Sequence, residues 1–144
     1  LAVHRVGPAR VGMLICFDWR FPETARVLAL QGADLIAHPS NLVFPNAQEA
    51  MRTRALENRV FTVTANRTAT EERPGGRVPF TGRSQIVDPA GEVVARASVR
   101  ASVAMAVDCD LAESRDKALT RLTPLFAARR PEFYRLLLKP VHRR

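Results

Sequence analysis

One of the two cysteines, Cys16, closes an apolar run, Val11-Gly12-Met13-Leu14-Ile15, and is followed by Phe17-Asp18-Trp19-Arg20 and then Phe21-Pro22-Glu23. A thiol is the most nucleophilic common side chain near neutral pH, acting as its thiolate. The apolar run reads as a buried strand. Pro22 with an acid directly after it reads as the first turn of a helix. Cys16 therefore falls at a strand-to-helix junction, where an open α/β sheet presents its chemistry. A tight turn there lifts the sulfur out of the sheet and aims backbone N–H groups at the carbon that the sulfur attacks. On spacing alone a second reading stands beside this one, a small buried cysteine that only packs.

Ile15-Cys16-Phe17-Asp18-Trp19-Arg20-Phe21-Pro22-Glu23, with Arg26 following, resembles the nucleophile region of the nitrilase superfamily, the carbon–nitrogen hydrolases. The family pattern is an apolar strand leading into I-C-x-D-x-x-F-P-E and then an arginine. Further blocks resemble the same family: His38-Pro39-Ser40-Asn41-Leu42-Val43, Arg54-Ala55-Leu56-Glu57-Asn58, and Gly82 to Gly91 with its Asp88-Pro89. The resemblance runs from about Val11 to Gly91, and the C-terminal Arg129-Arg130-Pro131-Glu132-Phe133-Tyr134-Arg135 is similar too.

The resemblance implies an αββα sandwich whose subunits pair, so a homodimer or larger homo-oligomer is expected. It implies that Cys16 attacks a carbon bonded to nitrogen in a small nitrile or amide, that ammonia or an amine leaves, and that water releases the acyl group. No cofactor and no metal are implied. Phe17, Trp19 and Asn41 are candidates to contact substrate, with core packing an equal alternative for Phe17. Backbone N–H groups after Cys16 are candidates for an oxyanion hole. Asp18, Glu23, Arg26, Arg54 and Glu57 are expected to support the site structurally, with Glu23 and Arg26 paired on one helix face. His38 invites a Cys–His dyad, but the family assigns the base to a glutamate, and a histidine at a strand end is expected to be structural.

The family completes its triad with a glutamate and a lysine that precede the cysteine. Only ten residues precede the apolar strand here, and none is Glu or Lys. Lys117 and Lys139 lie in contexts that do not match. The expectation is a partial hydrolase domain over residues 1–144, with a core over about 1–120 and an arm over about 121–144, lacking an initiator Met. The alternative is an inactive truncated domain retained for assembly.

Composition bounds the remaining classes. The net charge is +8, from 22 basic and 14 acidic residues, and with two lysines 20 of the 22 are arginine. The arginines are scattered, and no basic block is interleaved with aromatics, which argues against a nucleic-acid-binding domain. No run of about 18 apolar residues spans a membrane, and Leu1 to Arg10 lacks a signal-peptide layout. Cys16 and Cys109 make no disulfide framework, and a free thiol suits a reducing, cytoplasmic setting. Cys109 reads as a structural thiol.

The elements that must position Cys16 follow from punctuation. Leu1–Val6 and Val11–Ile15 read as strands joined at Gly7-Pro8, and Phe21–Gln31 as a helix ended by Gly32. Asp34–His38 reads as a strand stopped by Pro39. A helix capped by Asn46 runs to about Asn58, and Arg59–Ala65 is β-branched like a strand. Together these make a βαβ unit with parallel neighbours. Thr70–Pro79 reads as a mobile loop, and Arg83–Val87 with Glu92–Ala95 as a hairpin on a type I turn. Ser102–Val107 reads as a strand, Leu111–Leu119 as a helix and Pro131–Leu138 as a last helical or arm-like segment.

Overall fold

In the computed structural model, which describes residues 1–140, the chain opens with strands β1 (Val3–Val6) and β2 (Ala9–Met13). They pair antiparallel across Gly7-Pro8, with Val6 opposite Ala9. After Met13 the chain passes through Leu14 and Ile15 into one 3₁₀ turn, Cys16–Arg20. Helix α1 (Pro22–Leu30) follows directly, with its proline in the first turn where a missing N–H costs nothing. Gly32 takes a φ of +85° and closes the helix, and the Ala33 N–H returns to the Leu28 carbonyl.

Strand β3 (Leu35–Ser40) lies parallel to β2, and after helix α2 (Ala47–Asn58) strand β4 (Phe61–Asn66) lies parallel to β3. Strands β5 (Thr70–Arg73) and β6 (Gly76–Pro79) form a separate hairpin. Strands β7 (Gln85–Val87) and β8 (Val93–Arg96) then extend the main sheet antiparallel, giving the order β1-β2-β3-β4-β7-β8. The short helix α3 (Leu111–Arg115) precedes a two-stranded ribbon, β9 (Ala118–Thr120) and β10 (Thr123–Pro124). The fold is α/β, a sheet with its helical layer as in an αββα sandwich.

The helices cover one face of the sheet. Leu14 and Ile36 pack with Ala25, Leu28 and Ala29 of α1 and with Val60 at full burial. The Gln85 side chain donates to the Gln48 carbonyl in α2. The opposite face is open at its β2 end. Met13 and Ile15 alternate with buried Gly12 and Leu14 and are 54% and 60% exposed.

Several elements differ from the sequence expectation, each for a local reason. Residues 70–79 form a hairpin rather than a loop. The turn lies inside the segment at Pro74-Gly75, and the pairing is laced by Arg67–Glu71, Arg73–Glu71 and Arg77–Glu72 ion pairs. Pro39 does not stop β3. The Ala37 carbonyl accepts from Leu14, so residue 39 turns its nitrogen to the same side, past the end of β2, where no ladder partner waits.

Ser102–Val107 forms no strand. Its residues pair with no neighbour among the described residues, and Val103 and Val107 are exposed. The predicted helix from Leu111 ends at Arg115 because the Asp116 carboxylate captures the Ala118 N–H and turns the backbone away. Asn46 occupies the α2 cap position but its side chain makes no capping bond. Residues 131–138, expected as a helical or arm-like segment, form two exposed 3₁₀ turns.

Helix α1 sits close on β2 because Gly12 has no side chain. A Cβ there would lie 2.9 Å from Leu28 Cδ1 and 3.2 Å from Leu28 Cβ. Leu28 is fully buried and has nowhere to retreat. Gly12→Ala should therefore destabilise by about 1–3 kcal/mol, the usual cost of overpacking. A second change, Leu28→Val, should return part of that loss. Denaturant midpoints check both, and additive losses would contradict the packing argument.

Candidate active site

The site is built at the C-terminal end of β2, where the backbone bends sharply. Cys16 has a φ of +46°, a left-handed conformation rare outside glycine and asparagine. Such a backbone costs of order 1–3 kcal/mol and persists only where its surroundings hold it. Asp18 clamps the bend from both sides. Its carboxylate Oδ2 accepts from the Ile15 N–H at 2.9 Å, and its own N–H donates to the Ile15 carbonyl at 3.0 Å. The carbonyl of Asp18 caps the turn by accepting from the Phe21 N–H at 3.1 Å.

The Cys16 thiol is half-buried. Its hydrogen-bond partner among the described residues is the Asn41 carbonyl, with Sγ 3.9 Å away. Asn41 itself is exposed, and the segment that carries it is anchored one residue on. The Leu42 N–H donates to the Asn66 side chain at 2.8 Å, and the Asn66 amide donates to the Gly82 carbonyl at 2.6 Å. The ends of β2, β3 and β4 are thus tied together around the thiol. A depression of about 540 Å³ opens beside this edge, lined by Ser40, Asn41 and Asn66 among others.

An aromatic cluster flanks the bend. Phe17 meets Trp19, Phe21 and Phe44 at ring separations of 6.1, 5.8 and 6.5 Å, the first two edge to face. Phe17 and Phe44 are half exposed. Trp19 is buried against Leu42, Ala47 and Met51. Phe44 belongs to this wall and was not singled out from the sequence; its place in a Pro-bounded loop carried no periodic signal.

The supporting residues lie further off. Arg54 pairs with Glu57 at 2.9 Å, and the Asn58 amide donates to the Arg54 carbonyl. Arg26 does not pair with Glu23 among the described residues. Its guanidinium crosses to α2 and donates to the Glu57 carbonyl at 2.7 Å, because the helix-to-helix reach satisfies an orphan carbonyl that an exposed Glu23 does not. Lys117 also serves α2, donating to the carbonyls of Asn58 and Arg59 at its C-terminus. These groups stitch the helical layer. Cys109 turns its thiol to the Val107 carbonyl, and burial pushes that thiol up. Among the described residues, no three His, Cys, Asp or Glu side chains gather as a metal site, and no helix is long and apolar enough to cross a membrane.

The chain matches known proteins over most of its length. Residues 2–118 match the family model described as carbon-nitrogen hydrolase. The chain belongs to the carbon–nitrogen hydrolase family. It is 48% identical to a nitrilase of Pyrococcus abyssi over 92% of this chain and 49% of that protein. A carbon-nitrogen hydrolase from Helicobacter pylori superposes with a TM-score of 0.78 at 27% identity, over 92% of this chain and 50% of the other. An amidase mutant from Nesterenkonia sp. AN1, with the acetamide moiety of fluoroacetamide added covalently at its active-site cysteine, superposes with a TM-score of 0.70 at 28% identity, over 94% and 46%. The chain spans about half the length of the relatives it matches.

His38, set aside as a catalytic base, is nevertheless in the site. It is fully buried on the helix-facing side of β3, and its Nε2 lies 2.9 Å from the Cys16 carbonyl. Burial pushes the imidazole below its ordinary value of 6.5, against opposing pulls from the Cys16 carbonyl and Asp18. The unfolded chain therefore takes up a proton below about pH 6.5 that the folded chain refuses. Stability contributed here is complete above that pH and drains as pH falls through the folded value. The gap in melting temperature between the wild type and His38→Gln should narrow between about pH 7.5 and about pH 5. A constant gap would mean that His38 is not held neutral.

Proposed function

We propose that Cys16 is the nucleophile of a hydrolase that cleaves a small nitrile or amide. What supports this assignment is the strained left-handed backbone at Cys16, which lifts a half-buried thiol from the end of β2 in a chain of this family. Phe17 and Asn41 face the substrate, and Trp19 backs Phe17 from the core.

For an amide, the Cys16 sulfur forms a bond to the carbonyl carbon as its proton passes to a base. The tetrahedral intermediate collapses, the C–N bond breaks, and the nitrogen leaves as ammonia or an amine carrying that proton. The thioester left on Cys16 takes up water, releasing the acid and restoring the thiol. A nitrile follows the same course through a thioimidate and consumes two waters. Backbone N–H groups at the bend stabilise the oxyanion.

Neither a base nor a cation hydrogen-bonds the Cys16 thiol among the described residues, where its partner is the Asn41 carbonyl. In the whole protein a glutamate and a lysine outside this chain supply them. That same observation favours a second reading for the chain by itself, an inactive piece that serves assembly. The homo-oligomer and the cytoplasmic setting belong to this proposal too.

In the full-length protein, Cys16→Ala should lower hydrolysis of small amides and nitriles by several orders of magnitude, and alkylation of Cys16 should do the same. Undiminished turnover in Cys16→Ala would sink the assignment. Residues 1–144 expressed alone should show no turnover and scatter light as aggregates, because the exposed Met13 and Ile15 face invites association. A monomeric, active 144-residue chain would overturn that part.

A further inference from the structure

We propose that His38 is a positioning residue, which holds the Cys16 carbonyl and thereby sets the Cys16–Phe17 peptide so that the Phe17 N–H faces the oxyanion formed during attack. The inference rests on Cys16 being the nucleophile.

For the neutral ring that burial favours, the hydrogen bonds around the imidazole admit one arrangement. Cys16 O is an acceptor only and lies 2.9 Å from Nε2, so Nε2 carries the proton. The Ser40 hydroxyl, also 2.9 Å from Nε2, donates to the His38 carbonyl and offers its oxygen as a second acceptor. Nδ1 is then the bare nitrogen, and the Thr64 hydroxyl donates to it at 3.2 Å. Thr64 stands directly opposite His38 in the parallel ladder of β3 and β4. The tautomer is thus set by the Cys16 carbonyl and accommodated by a strand partner, and the ring is fully buried.

This ring grips the residue whose backbone carries the strain. In a trans peptide the C=O and the following N–H point in opposite directions. Drawing the Cys16 carbonyl inward to His38 therefore turns the Phe17 N–H outward, away from the helical layer. That N–H donates to no group among the described residues, whereas the Asp18 N–H, one residue on, is spent on Ile15. A donor kept free and aimed beside a nucleophilic sulfur is what a developing oxyanion needs. Asp18 closes the bend from the Ile15 side, and His38 holds it from the sheet side.

The experiment uses the full-length protein with three variants, His38→Leu, His38→Gln and Thr64→Val. Each is assayed for amide hydrolysis, for the rate of Cys16 alkylation by iodoacetamide, and for melting temperature. Alkylation is a displacement that builds no oxyanion, so it reports the thiol without the Phe17 donor. His38→Leu should lose about 10²-fold or more in kcat, the scale of a removed oxyanion donor, with KM and alkylation changed by less than about threefold. His38→Gln, whose amide can reach the same carbonyl, should recover most of the kcat. Thr64→Val frees Nδ1 and should lower kcat in the same selective way but by less.

Equal losses of hydrolysis and alkylation would reduce His38 to a structural residue and overturn the proposal. So would a His38→Leu protein that folds and keeps kcat within about threefold of the wild type. If His38→Leu fails to fold, Thr64→Val decides: an unchanged kcat overturns the proposal, and a selective loss supports it. A Cys16→Ala control that retains hydrolysis would instead strike the nucleophile assignment beneath it.

Discussion

The local geometry of the site depends on one backbone torsion, the left-handed φ of Cys16. Left alone, that conformation costs of order 1–3 kcal/mol. A hydrogen bond to a charged acceptor contributes about 1.5–3 kcal/mol and a neutral one about 0.5–1.5. The Ile15 N–H on the Asp18 carboxylate and the His38 ring on the Cys16 carbonyl together offset the strain. Neither partner is free to drift. Asp18 sits inside the turn it clamps, and His38 is locked in the sheet against Thr64. The bend is held by groups on two separate segments, which is why it survives in a residue with a Cβ.

The sheet and the helices exist, in this sense, to bring those segments together. Parallel pairing of β2 with β3 sets Ala37 opposite Met13 and leaves His38 just past the end of β2, level with the bend. Parallel pairing of β3 with β4 delivers Thr64 and Asn66 to the same edge. The close seat of α1 on Gly12 fixes the height of the helix that begins six residues after Cys16. A shift of β3 by one residue would turn His38 to the other face of the sheet and break its hold on Cys16.

Much of this was legible in the sequence. The strand-to-helix junction at Cys16, the crossover to β3 and the type I turn at Asp88 each carry strong local signals, and Asp88 Oδ1 accepts from the Ala90 and Glu92 N–H groups as that turn chemistry requires. What escaped was non-local. His38 could be placed at a strand end but not oriented, because its role depends on which residue of β4 lies opposite, and register is not written in either strand alone. Arg26 was matched to Glu23 by helical spacing, but the orphan carbonyl at Glu57 lies 31 positions away. The β5–β6 hairpin hid behind its own turn residues, since a Pro-Gly-Gly stretch marks a loop and the centre of a hairpin alike. Residues 102–107 alternate like a strand but find no neighbour, and alternation without a partner makes no ladder.

The open face of the sheet and the surroundings of Cys16 are aspects of the same geometry. Met13 and Ile15 are the exposed apolar side chains of β2 and its continuation, and Ile15 is the immediate neighbour of Cys16. Any layer that covers them must arrive within one residue of Cys16. Burying a side chain of this size yields about 1.5–3 kcal/mol, so the same contact that stabilises the sheet brings new groups to the thiol. The side chains on the covered face are already committed: Asp18 to Ile15, His38 to Cys16 and Thr64, Asn66 to Leu42 and Gly82. None is free to take a proton from sulfur. If Cys16 is the nucleophile, as proposed, a layer that covers Met13 and Ile15 is the natural carrier of its base, and covering the sheet and completing the site would then be one structural event.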